Sequence, residues 1–158
     1  MAVKVNFLDF LFKKRQKVKS DFFGTMTATK FKKGQNVSYF ECSRYFQPTQ
    51  KIIKLIIECE KSGETEKQIT FFKWIEESYP EICKSVTPLI ECLYEYLKSG
   101  KKIVDFPKEL EATELFLPQC DSVPVEWDIL FETRLDSQKY YFRIVMKGLE
   151  AVGIGMES

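Results

Sequence analysis

Hydrophobic and polar positions alternate with a period of two over much of this chain, and the period lengthens to that of a helix between Thr65 and Gly100. That stretch, TEKQITFFKWIEESYPEICKSVTPLIECLYEYLKSG, is the longest with helical spacing. Thr65 followed by Gln68 has the form of a capping box, which predicts a helix start. Ile69, Phe72 and Tyr79 then share one face, widened by Phe71, Trp74 and Ile75. Proline lacks an N–H and disfavours helical geometry in the residue before it, so a break is expected at Tyr79-Pro80, with Pro80 opening a second helix. In that helix Ile82, Val86, Leu89, Ile90, Leu93 and Leu97 form one apolar stripe, and Glu76, Glu77, Glu81, Lys84, Glu91 and Glu95 face away. Pro88 falls inside the stripe, where it either kinks the helix or lets Thr87 cap a fresh start. Ser99-Gly100 ends the segment.

Both flanks read mainly as strands. Residues 21–31 are β-rich and broken at Gly24, the turn signal KKGQN follows, and Val37–Phe46 alternates. After the turn Gln47-Pro48-Thr49, the β-branched run Lys51–Cys59 has the character of a central strand buried on both faces. These three strands predict an antiparallel meander. Beyond the helices, 101–110 reads as loop and 113–117 as a short strand. Val125–Arg134 sets Val125, Trp127, Ile129 and Phe131 against Glu126, Asp128, Leu130 and Glu132, the pattern of a half-exposed strand. Lys139–Lys147 is its expected partner and EAVGIGM the last strand. At the start, Val3, Phe7, Phe10 and Leu11 share one helical face, and Lys13, Lys14, Arg15, Lys17 and Lys19 follow. The expectation is an α+β fold: an antiparallel sheet of about six or seven strands with two central helices packed on one face, plus a short N-terminal helix. Residues 1–20 form the amphipathic basic helix and 21–158 a single α+β domain.

Composition narrows the chemistry. A chain of 158 residues can build a core without staples. It contains no His, which removes the commonest general base and metal ligand and every Ser-His or Cys-His nucleophile pair. Its five Cys (42, 59, 83, 92 and 120) lack any C-x-x-C spacing and read as free thiols of a reducing, cytoplasmic compartment, with Cys59, Cys83 and Cys92 in apolar runs as small core residues. No apolar stretch is long enough to span a bilayer, and the basic cluster follows the first apolar stretch instead of preceding it as in a secretory signal.

The remaining candidates are charges. Glu126, Asp128 and Glu132 share a strand face and are the only carboxylates placed for acid–base work, but alternating acids on a strand read first as its solvated side. No calcium loop or phosphate loop occurs, so neither metal nor cofactor is expected. The lysines of 13–19 lack a recognition helix beside them, and nucleic acid is not an expected partner. The net charge of +1 conceals an asymmetry: residues 1–57 carry 12 Lys/Arg against 3 Asp/Glu, and the remainder carries 12 against 20. Between Asp105 and Asp136 nine acids stand against Lys108 and Arg134, interspersed with Phe106, Phe116 and Trp127. Acids around apolar anchors suit docking onto a basic protein. The expected partner-binding residues are Glu111, Glu114, Asp121, Glu126, Trp127, Asp128 and Glu132. A second reading uses the basic amphipathic N-terminus on a membrane surface or as a scaffold.

Four local features also stand in order: Asp21-Phe22-Phe23-Gly24 ahead of a meander, Thr65 to Gln68 opening a helix, Tyr79 between two helices, and a late Trp127-x-Ile129-x-Phe131-Glu132 strand followed by an aromatic one. This organisation resembles small bacterial domains of uncharacterised function, several of which look like immunity proteins of polymorphic or contact-dependent toxin systems. The resemblance covers most of 21–155 and departs at the end, where Gly153-Ile154-Gly155 stands in place of the frequent Asp-Gly. It implies a non-catalytic protein that neutralises a cognate toxin by direct binding, the toxin being basic and possibly a nuclease. It transfers no functional residue.

Overall fold

The computed structural model describes residues 15–30, 37–135 and 137–157. In chain order the elements are β1 (Lys17–Ser20), β2 (Gly24–Lys30), β3 (Val37–Phe46), β4 (Lys51–Glu60), α1 (Glu66–Glu77), α2 (Tyr79–Tyr96), the single turn α3 (Phe106–Glu109), β5 (Leu110–Leu117), β6 (Glu126–Leu135), β7 (Gln138–Lys147) and β8 (Glu150–Glu157). The strands form one eight-stranded sheet in sequence order from β1 to β8. Every neighbouring pair is antiparallel except β4 and β5, which run parallel with Leu55 opposite Leu115.

The expected antiparallel sheet of six or seven strands with two central helices is therefore corrected: the described residues form a mixed sheet of eight strands with three helices, still α+β in class. The reason lies in the connection. Parallel neighbours need a crossover of a dozen residues or more, and the helical segment between β4 and β5 supplies one. The added strand is β1. Lys17–Ser20 do not continue a basic helix; they pair with β2, Lys17 opposite Thr27 and Ser20 opposite Gly24. The helix expected on Val3–Leu11 lies outside the described residues. No helix among the described residues is long and apolar enough to cross a membrane.

The helix starts follow the local chemistry. The Thr65 hydroxyl accepts from the Gln68 N–H at 3.3 Å, and the Gln68 side chain accepts from the Thr65 N–H at 3.1 Å. The break falls at Ser78, just ahead of the expected Tyr79-Pro80, and α2 begins at Tyr79 with Pro80 in its first turn. Pro88 neither divides α2 nor starts a new helix; α2 runs through it, and the Thr87 hydroxyl donates to the Cys83 carbonyl one turn back at 2.7 Å.

One face of the sheet carries the core. Phe40, Leu55, Ile57, Leu115, Ile129, Phe131, Phe142 and Ile144 are fully buried with Phe72 and Ile75 of α1 and Ile82, Val86, Ile90 and Tyr94 of α2. Tyr94 is wholly enclosed and its hydroxyl meets that of Thr133 at 3.1 Å. At the β1–β2 turn Phe22 and Phe23 pack edge-on to Phe72, and the Arg44 guanidinium lies over the Phe22 ring at 3.7 Å while donating to the Phe22 carbonyl. Two sequence expectations change here. β4 is an interior strand but buries one side only: Ile53, Leu55, Ile57 and Cys59 are enclosed, while Ile52 on the other side is 66% exposed. Cys92 is exposed rather than a core residue.

Candidate functional site

The face of the sheet opposite the helices carries most of the acids singled out by sequence, because alternation along β5 and β6 sends them there. On β5 a bulge between Ala112 and Glu114 keeps Glu111 and Glu114 on this face while Leu110, Ala112, Leu115 and Leu117 stay in the core. Three of the seven predicted residues are neutralised from within. Glu111 pairs with Lys51 at 2.6 Å and Glu132 with Lys139 at 2.7 Å. Glu114, nearly buried, lies between Arg143 at 2.8 Å and Lys54 at 3.3 Å. Lys54 in turn holds Glu41 at 2.9 Å, and Arg143 holds Glu157. Charges of alternating sign thus run from β3 to β8.

Trp127 faces the other way. It is 1% exposed, its ring meets Phe71 edge-on at 5.9 Å, and its Nε1–H donates to the Gly148 carbonyl at 2.9 Å. It shares its side of β6 with Ile129 and Phe131, so it belongs to the core and presents nothing to a partner.

Asp121, Glu126 and Asp128 remain, and they gather at one end of the sheet. Asp121 and Glu126 line a hollow of about 330 Å³ with Glu58 from β4, and these three acids are the charged groups of its wall. None of them pairs with a cation among the described residues, although Lys147 stands opposite Glu126 in register. Asp128 is half-buried one alternation further along β6, flanked in register by Phe116 and Val145. Desolvation pushes its carboxyl above the ordinary range, against a smaller opposing pull from Arg143. An acid whose folded pKa is raised costs stability when ionised, and this cost disappears as pH falls through the folded value. Asp128→Asn is therefore expected to raise the melting temperature at neutral pH, with the gain shrinking on acidification. Thermal scans across pH check it; a variant that melts lower at neutral pH refutes the sign.

Gln68 positions this hollow, a role that its place in a helix cap does not by itself announce. It is completely buried, and its side-chain amide donates to the carbonyls of Glu58 and Pro118, both at 2.8 Å, tying α1 to the ends of β4 and β5. A Gln at the third position of a helix, three residues after its Thr cap, is the signal the sequence offers for this. Gln68→Leu leaves two carbonyls and the Thr65 N–H without their partner, at a cost of about 1–3 kcal/mol for each of these groups that stays dry. Denaturant unfolding measures it, and a loss within error would mean that these bonds contribute nothing net.

Beside the hollow, and sharing Cys120, Asp121 and Val125 with it, runs an open apolar groove of about 710 Å³ between α1 and the β5–β6 connection. Phe71 and Trp74 stack along one side with ring centres 5.3 Å apart; Val123, Pro124 and Val125 form the other. Gly148 fixes the second wall. Its N–H donates to the Val125 carbonyl at 2.9 Å, its carbonyl accepts from Trp127, and its φ of +58° with Pro124 Cβ 3.3 Å from where a Cβ would stand leaves no comfortable place for another residue. The arrangement supplies recognition chemistry: uncompensated carboxylates beside an aromatic platform. Among the described residues no three His, Cys, Asp or Glu side chains converge as a metal cage requires.

No protein-family model matches this chain, and neither a curated protein nor a solved structure matches it.

Proposed function

We propose that this chain is a non-catalytic protein-binding domain of the immunity type, which neutralises a toxin domain by covering that domain's basic surface. The observation that carries the reading is the hollow at the end of the sheet, whose charged wall is wholly acidic: Glu58, Asp121 and Glu126. Elsewhere on the same face Glu111, Glu114 and Glu132 are matched by Lys51, Lys54, Lys139 and Arg143, whereas Glu58, Asp121 and Glu126 have no cation partner among the described residues. Uncompensated charge costs stability through self-repulsion and is useful against an oppositely charged partner, whose approach it accelerates and orients. A nuclease or other toxin with a basic nucleic-acid site is such a partner. The five cysteines are all free thiols, which suits a reducing cytoplasm, the compartment an immunity protein has to protect.

The test is co-expression with the product of the adjacent gene, followed by co-purification and a growth assay. A stable complex and rescue of growth are expected. Absence of both sinks the proposal. Reversing Asp121 and Glu126 to Lys, both exposed, is expected to slow association about tenfold at low salt and to flatten its salt dependence, with the fold unchanged.

A further inference from the structure

We infer that the groove between α1 and the β5–β6 connection is a docking site for an apolar segment of a partner protein that carries Lys or Arg beside its anchor residue. This rests on the binding function proposed above and names the second half of the contact. Three features carry it.

The first is the platform. Trp127 in the core, Phe71 at its edge and Trp74 on the surface form a continuous row, edge-on at 5.9 Å and then stacked at 5.3 Å. The outer ring is therefore held by the inner one and is ordered before anything binds, which lowers the entropic cost of docking. The second is the opposite wall. Val123 is 97% exposed, an apolar side chain turned to water on a loop whose base is pinned by Gly148. The third is charge. The groove carries Glu66 and Asp121 and continues into the hollow of Glu58 and Glu126, against the single exposed Lys67. An aliphatic or aromatic anchor fits between Trp74 and Pro124. An adjacent guanidinium or ammonium finds a tryptophan face and carboxylates, the two groups that attract a cation most strongly in a partly dry site. A second copy of the chain fits poorly, because a symmetric contact here would set Glu66 and Asp121 of both copies against one another.

The probe is a phage-displayed library of random peptides panned on the immobilised full chain, with the enriched peptides then made synthetically. Trp74 is the more exposed of the two tryptophans and reports binding by fluorescence. The expected result is enrichment of sequences that join an aromatic or aliphatic residue to Lys or Arg, saturable quenching by them, and loss of quenching and binding in Trp74→Ala. The pair Glu66→Lys and Asp121→Lys, at exposed positions, is expected to weaken binding about tenfold, and it keeps the test decisive should Trp74→Ala fail to fold. Enrichment of acidic peptides, no enrichment, or equal binding by the variants overturns the inference. Concentration-dependent self-association that buries Trp74 assigns the groove to a second copy and also overturns it. Peptide capture seen only in a chain shortened to begin at Arg15 assigns it to this chain's own first residues, with the same consequence. If the toxin complex survives Trp74→Ala but is lost on reversing Asp121 and Glu126, the function stands and the groove inference fails. Peptide capture without any toxin complex keeps the groove as a docking site and removes the immunity function.

Discussion

Trp127→Ala is expected to cost about 3–5 kcal/mol, the range for removing a large aromatic from a core that cannot collapse around the space. The indole is enclosed at 1% exposure, sits edge-on to Phe71 and donates to the Gly148 carbonyl. For a chain of this length such a loss corresponds to a fall in melting temperature of about 6–20 °C. The effect should reach the groove as well. Phe71 would lose the ring that supports it, and Gly148 would lose the donor that helps hold the loop of Pro124. Trp127→Phe separates the contributions: it keeps an aromatic ring in the core and removes the hydrogen bond to the part-buried Gly148 carbonyl, at about 1 kcal/mol. Thermal and denaturant unfolding of both variants measure the two losses. If Trp127→Ala melts with the parent, the indole is not a core group and could act as a surface anchor after all.

Trp127 also shows what kind of information a sequence carries. Its alternation with Ile129 and Phe131 puts all three on one side of a strand. Counting it among the partner-binding residues weighs its acidic neighbours in sequence above its apolar neighbours in space. The same limit applies to the acids. Nine of them between Asp105 and Asp136 suggest one acidic surface, yet Glu114 and its cation Arg143 are 29 residues apart and meet only across β6. Periodicity gives the face of a strand, and it does not give the strand's neighbours. For that reason Glu132 is legible as outward-facing and illegible as neutralised, while Glu111 and Glu114, three positions apart, share a face only through the bulge between Ala112 and Glu114.

The helices are readable because their signals are local. Thr65 and Gln68 cap each other within one turn, and the stripe Ile82, Val86 and Ile90 is a repeat along one element. The parallel pairing of β4 with β5 and the existence of β1 are not, because each depends on where a distant segment lies. Lys17-Val18-Lys19-Ser20 is short and basic, and only its register with Thr27 to Gly24 makes it a strand. The groove is half visible. Phe71 and Trp74 widen the apolar face of α1, and a face wider than the sheet beneath it can cover leaves its margin at the surface.

Arg143→Met is the second change with a large expected effect, about 2–3 kcal/mol at neutral pH. Breaking a fully buried ion pair by removing one partner costs about 3–5 kcal/mol, and the solvent-open side of Arg143 scales this down. Arg143 stands opposite Leu130 on β6 and opposite Gly155 on β8. It reaches over Leu130 to Glu114 at 2.8 Å, which explains how a leucine on the open face stays 8% exposed. With no side chain at Gly155 in the way, it also holds Glu157. Methionine keeps much of the cover over Leu130 and leaves Glu114, nearly buried, with Lys54 alone. The hydrogen bond from Arg143 is the largest cause holding the Glu157 carboxyl below its ordinary range. Stabilisation of that kind is complete above the unfolded pKa and is lost as pH falls through the folded value. The gap between parent and variant should therefore narrow on acidification. Adding Glu114→Leu to Arg143→Met should recover much of the loss, since a well-packed apolar replacement of an ion pair is often neutral, and Lys54 keeps Glu41. Melting curves of the single and double variants at neutral and acid pH test both the magnitude and its pH dependence. A single variant as stable as the parent, or a double variant less stable than the single, would show that the charges running from β3 to β8 hold no part of the sheet together.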